Sequence, residues 1–139
     1  MNTSIIADSS GIVSLISETD KNHPIALQIT DDLNNTQGSI IVPSDVFSET
    51  LNAIGRKISH EVAIAVGQEI ITSSIYLVLE ANEKTRQLAF ALFKSQPESV
   101  SFTDCIVMAF ADQFNTKDIF GFDEAFRKNG YNRLGFDRH

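Results

Sequence analysis

The sequence has one cysteine, three prolines, no tryptophan, and only 11 lysines and arginines against 18 aspartates and glutamates. Each shortage excludes something. The single thiol, Cys105, cannot close an internal disulfide. Its place in an apolar run marks it as a small buried hydrophobe of a protein in a reducing compartment. A net charge of −7 argues against non-specific capture of nucleic acid by a basic surface. It leaves room for an enzyme whose own site is acidic and works through metal ions. No apolar run approaches the roughly 20 residues of a membrane span. The opening residues, MNTSIIAD, lack the basic region and apolar core of a secretory signal. A soluble cytoplasmic protein with no membrane contact is therefore expected. Internal repeats, low-complexity tracts, a glycine-rich phosphate loop, a CxxC pair and a Ser-His-Asp arrangement are all missing too.

What is present is a core-forming composition. With 139 residues, 42% of them apolar and ten phenylalanines, the chain is long enough for one domain, 1–139, and too short for two. Short apolar runs alternate with amphipathic stretches. Ile5-Ile6-Ala7 reads as a buried strand stopped by Asp8-Ser9-Ser10-Gly11, with a helix following through Ile16. Asp20 to Pro24 is turn-rich, with His23 a solvated loop residue, and a helix is expected from Pro24 to Leu33. Ser39 to Val42 is a second strand, and Ser44 a candidate N-cap for the helix carrying Val46, Phe47, Leu51 and Ile54. A further helix over residues 59–72, a strand over 74–79 and a helix opening near Asn82 precede Pro97. Ser101 and Asp104 have the spacing of a capping box, opening a helix to about Phe114. A fourth strand is expected over 118–122, a short helix from Asp123 to about Gly130, and a weakly signalled strand over 131–134. Six phenylalanines between Val100 and Phe126 mark that stretch as dense core. Strands alternating with helices predict an α/β domain, with a mainly parallel sheet of four to five strands and helices on both faces.

Three acids share a context in that plan. Asp8 and Asp123 each follow an apolar strand, and Asp104 opens a helix in the same β-to-α sense. Glu49, in the helix after the second strand, can reach the same crevice. Each taken alone has a plain explanation, since helix N-termini favour carboxylates and most helical glutamates are solvated. Four acids brought to the carboxyl end of one parallel sheet repel one another and raise one another's pKa. A divalent cation relieves that repulsion, and oxygen ligands without His or Cys suit Mg2+ or Mn2+. Residue pattern alone thus predicts an acidic metal site on an α/β domain.

Four ordered pieces then carry a resemblance over essentially the whole chain: IIADSSG, PSDVFSETLNAI, SFTDCIVMAFA and IFGFDEAFRKNGY. Together they resemble PIN-domain nucleases, most of all the toxin half of bacterial type II toxin–antitoxin pairs of the VapC group. The resemblance implies a small Rossmann-like, three-layer fold and Mg2+- or Mn2+-dependent endoribonuclease activity on RNA. It implies a homodimer, and a cognate antitoxin whose tail enters the acidic groove. It assigns Asp8, Glu49, Asp104 and Asp123 as catalytic and metal-binding, with Ser9 and Thr103 in support. The chain departs from the pattern at Gly121, where many relatives carry Thr or Ser. Arg127, Lys128, Arg133 and Arg138 crowd the last thirteen positions, as a phosphate-binding edge or a solvated tail. The competing readings are a non-catalytic PIN-fold interaction module, a housekeeping RNA-processing nuclease, and a DNA-directed flap-type nuclease.

Overall fold

The computed structural model describes residues 4–137. Strand β1 (Ser4–Ala7) leads into α1 (Ser9–Ile16) and α2 (His23–Asn35). Then follow β2 (Ser39–Pro43), α3 (Ser44–Lys57), α4 (His60–Thr72), β3 (Tyr76–Leu79), α5 (Glu83–Lys94), α6 (Phe102–Gln113), β4 (Asp118–Phe120), α7 (Glu124–Lys128) and β5 (Asn132–Arg133). The sheet order is β3-β2-β1-β4-β5, and every pairing is parallel. The expected α/β architecture is present, with five strands.

This order places β1 and β4, the strands that precede Asp8 and Asp123, side by side. The chain winds from β1 outward to β2 and β3, then returns across the sheet to β4 and continues to β5. Right-handed crossovers put α1 to α4 on one face and α5 to α7 on the other. The winding direction reverses between β1 and β4, so a crevice opens at their carboxyl ends. Ile6 pairs with Ile119, and Ala7 with Phe120, across that junction.

The core explains the composition. Ile5, Ile6, Ile40, Ile41, Val42, Ile119 and Phe120 are buried, as strands covered on both faces must be. Helix α6 lies across β1, β2 and β4. Its residues Cys105 to Ala111 are buried without interruption, so it is an internal helix with no polar stripe, and Cys105 is the small hydrophobe its position predicted. Asn115, at φ 55°, turns the chain out of α6, and Thr116 N–H closes onto Ala111 O at 3.0 Å. Helix α1 is drawn against β4 at Gly11, where a Cβ would stand 2.2 Å from the Phe120 carbonyl oxygen.

Several expectations need correction. Of the six phenylalanines from 100 to 126, Phe110, Phe120 and Phe126 are buried, while Phe114 is 43% exposed. It sits past the end of α6 and stacks on Phe110, ring centroids 6.2 Å apart. Ser44 is the first residue of α3 and caps nothing. Pro43 holds the cap position and still pairs with Leu79, so strand passes directly into helix. His23 opens α2, half-buried, and its Nδ1 bonds the Ser14 carbonyl at 2.9 Å. Strand β4 stops at Phe120 because Phe122 N–H turns away to the Ser10 hydroxyl, at 3.0 Å. Arg138 and the terminal His139 lie outside the described residues.

Candidate active site

The crevice at the switch point is built by four acids from four places. Asp8 ends β1 and caps α1, its Oδ2 accepting from Ser10 N–H at 3.2 Å and from Ser10 Oγ at 2.7 Å. Only 5% of Asp8 is exposed. Asp104 stands in the first turn of α6 within a complete capping box: Ser101 Oγ accepts from Asp104 N–H, and Asp104 Oδ2 accepts from Ser101 N–H, both at 3.1 Å. Asp123 caps α7, accepting from Ala125 N–H at 2.8 Å. Glu49 projects from α3 and accepts a 2.5 Å bond from Ser9 Oγ. Thr103 is half-buried in the first turn of α6, beside Asp104.

The four carboxylates feel one another. Burial pushes the Asp8 carboxyl up from 3.8 to about 6, with the charges of Asp104 and Glu49 adding to the rise and the Ser10 hydrogen bonds opposing it. Burial also raises Asp104, and the charges of Asp123 and Glu49 raise it further against the Ser101 bonds. Those couplings link all four acids into one electrostatic group. Among the described residues none of the four has an ion pair. Arg133 lies close enough to Asp123 to interact with its charge but does not pair with it, and an acidic cluster without a direct ion pair is the arrangement that divalent cations relieve.

As the side chains stand, no three His, Cys, Asp or Glu groups among the described residues close around one point. Each acid is turned to a local donor instead: Asp8 to Ser10, Glu49 to Ser9, Asp104 to Ser101 and Asp123 to Ala125 N–H. Mutual repulsion among the four carboxylates favours holding each on a separate donor. The donor chemistry is still that of a hard-ion site: only carboxylate and hydroxyl oxygens line the group, and the buried Asp8 has no cationic partner of its own.

Two residues of the site have structural roles that the sequence does not show. Ser10 links the centre together, donating to Asp8 and accepting from Phe122 N–H, 112 residues away. The stretch Asp-Ser-Ser-Gly offered two hydroxyls, and only Ser9 was assigned. Gly121 is the other. A Cβ there would stand 2.6 Å from Asp8 Cβ and 3.2 Å from Phe126 Cε2. The missing hydroxyl at 121 is therefore also a missing collision, and the buried position of Asp8 depends on it.

The basic edge near the end of the chain is largely spent on internal pairs. Arg127 pairs with Glu124. Arg133 binds Asp137 through Nε at 3.0 Å, Glu124 through Nη1 at 3.2 Å and the Phe122 carbonyl at 3.2 Å. Arg133 thus braces the loop between β4 and Asp123.

A five-stranded parallel sheet with carboxylates gathered toward its switch point defines a class of α/β domains with an acidic crevice. The PIN-domain family model matches residues 5–130, and the chain belongs to that family. The fold resembles three solved structures. Mycobacterium tuberculosis VapC20, described as a sarcin-ricin loop cleaving toxin, superposes with a TM-score of 0.81 at 21% identity, covering 94% of this chain and 98% of that one. VapBC2 from Rickettsia felis, bound to a DNA fragment from its promoter, gives 0.60 at 13% identity over 84% and 85%. FitAcB from Neisseria gonorrhoeae gives 0.60 at 11% identity over 83% and 84%. A search of curated proteins by sequence finds no match.

Proposed function

We infer that this PIN-domain protein is a metal-dependent endoribonuclease that hydrolyses RNA phosphodiester bonds and serves as the toxin of a toxin–antitoxin pair. The observation that carries the catalytic reading is the four-acid group at the β1/β4 crevice, with Asp8 and Asp104 raised in pKa and no ion pair to relieve any of the four. Asp8, Glu49 and Asp104 are the main candidates to hold Mg2+ or Mn2+, with Asp123 contributing directly or through water. A divalent cation held there supplies Lewis acidity toward a phosphodiester and compensates the negative charge that grows in its hydrolysis.

The remaining roles belong to the chain's own side chains. Ser10 fixes the rotamer of Asp8, and Ser9 fixes that of Glu49. The capping box aims Asp104 from the rigid, fully packed α6. Asp123 lies exposed at the mouth of the crevice, where it can orient incoming water. The likeness in fold to a toxin that cleaves the sarcin-ricin loop supports an RNA substrate. A cognate antitoxin, a homodimeric state and a cytoplasmic location belong to the same reading. No helix among the described residues is long and apolar enough to cross a membrane.

The test is Asp104→Asn, assayed with a structured RNA and Mn2+. Wild-type protein is expected to cleave and the variant to be silent while still folded. Full cleavage by the variant would sink the assignment. Calorimetric titration of the wild type with Mn2+ separates the nuclease from a PIN-fold scaffold, which would take up no ion near neutral pH.

A further inference from the structure

Beside the acids lies a second concavity of about 300 Å3, bounded by α1, α3, the turn before α2 and the loop after β4. Its inner wall includes Ser9 and Ser10, the two hydroxyls that hold Glu49 and Asp8. Whatever fills it is therefore one side chain away from the acidic centre. A larger cleft of about 410 Å3, lined by Ile5, Ile29 and Leu33, opens at the amino ends of β1 and β4, away from the acids. The smaller cleft is the one that chemistry at the crevice can use.

Its lining is apolar below and polar at the rim. Val13, Ala53 and the Phe122 ring form the apolar part. At the rim, Asp20 and Asn22 face Lys57 from the end of α3. The rim is fixed in place. Ser14 Oγ and Asn22 N–H both donate to Asp20 Oδ1, at 3.1 and 2.8 Å, and His23 Nδ1 ties the start of α2 to Ser14 O. Among the described residues nothing donates to Asp20 Oδ2, and the Asn22 side-chain amide caps no helix and has no partner. The cleft thus presents a rigid carboxylate oxygen and an amide with two N–H donors and an acceptor oxygen, beside the Phe122 ring, which is itself braced by Phe120 and Phe136.

We propose that this cleft takes one unstacked RNA base next to the phosphate to be cut, favouring bases with an exocyclic amine over uracil. The proposal rests on the nuclease reading and names a specificity pocket for it. Single-stranded RNA is recognised by splaying bases out, stacking them on aromatic rings and bonding their edges. Phe122 supplies the ring. Asp20 Oδ2 accepts from the exocyclic amine of adenine, cytosine or guanine, which uracil lacks, and the Asn22 amide bonds the neighbouring edge position. Lys57, exposed at the mouth, suits the adjoining backbone phosphate. A pocket at the small end of the usual ligand range suits one base and excludes a duplex.

Two experiments test this. Metal-free protein is titrated with AMP, CMP, GMP and UMP while amide resonances are followed by NMR. Shifts are expected at Asn22, Phe122 and Lys57, weakest with UMP. In Asn22→Ala the affinity should fall about fivefold, the worth of one net hydrogen bond. A random-sequence single-stranded RNA library is then cleaved with Mn2+ and the ends sequenced. Wild-type ends should be depleted of uracil at one position flanking the cut, and Asn22→Ala and Phe122→Leu should flatten that bias. Nucleotides that leave the three resonances unmoved overturn the proposal. So does a flanking bias that is absent in the wild type or unchanged in the variants, since the site would then serve free nucleotides only. If the wild type cuts no RNA but the expected resonances move, the base pocket stands and the nuclease reading falls.

Discussion

Removing the charge of Asp8 should stabilise the metal-free protein. Asp8 is almost fully buried, and its pKa rises from 3.8 to about 6 on folding. The folded protein therefore favours the protonated carboxyl. As pH rises from about 4 to about 6 the unfolded chain has released this proton and the folded chain has not, so stability falls through that window and stays reduced above it. A rise of about two pH units corresponds to about 3 kcal/mol. Asp8→Asn keeps the shape and an acceptor for Ser10 but weakens those two hydrogen bonds, an offset of about 1 kcal/mol. The net gain near pH 7.5 is about 2 kcal/mol, or roughly 6 °C in melting temperature for a domain of this size. Urea and thermal unfolding in EDTA at pH 7.5 should show the variant ahead, and at pH 4 the advantage should vanish. With saturating Mn2+ the order should invert, because only the wild type gains stability by binding. A variant less stable than wild type at pH 7.5 in EDTA, or an advantage that persists unchanged to pH 4, would refute the reasoning.

Three other substitutions probe how the crevice is held. Ser10→Ala removes the donor to Asp8 and the acceptor of Phe122 N–H. It should cost about 1–2 kcal/mol and raise the Asp8 pKa further, moving the pH at half-maximal Mn2+ binding upward in calorimetry. Gly121→Thr introduces the hydroxyl residue that the family resemblance implies but places its Cβ 2.6 Å from Asp8 Cβ. The expected result is a loss of about 1–3 kcal/mol with weakened Mn2+ binding, and full binding at wild-type stability would count against the steric account. Gly11→Ala meets the backbone oxygen of Phe120 at 2.2 Å, with no flexible neighbour to yield. It should cost about 3 kcal/mol in urea unfolding, at the upper end for overpacking.

Asp8, Asp104 and Asp123 were legible because each stands where an apolar strand ends or a helix begins, and local pattern marks those places well. The structure keeps their plain roles too: Asp8, Asp123 and Ser101 all cap helices. Glu49 was different. It sits on an exposed helix surface, and nothing near it in sequence separates it from a solvated glutamate; its place in the helix after β2 puts it within reach of the crevice, and the resemblance assigns it a role there. Gly121 stands out only as a departure from the family pattern, and the roles of Ser10, Gly11 and Gly121 are not legible because Phe122, Phe120 and Asp8, which they meet, are more than a hundred residues away. Close approach of α1 to β4 is a property of the packed sheet, and single-residue chemistry does not announce it. His23 was misjudged for a similar reason: its partner, the Ser14 carbonyl, is nine residues back across a turn. Strand ends erred by one or two residues where side-chain bonds, such as Ser10 to Phe122, drew the backbone away from the sheet.

The placement of β1 beside β4 has a consequence for how the protein is made. The middle of the sheet joins residues 4–7 to residues 118–120, and the Asp8 carboxylate is positioned by a hydroxyl that bonds Phe122. On the ribosome, everything from α1 to α6 emerges before the strand that completes the crevice. A nascent chain therefore cannot assemble the four-acid group until translation has passed Asp123. Whatever chemistry the crevice performs is withheld until that point by connectivity alone.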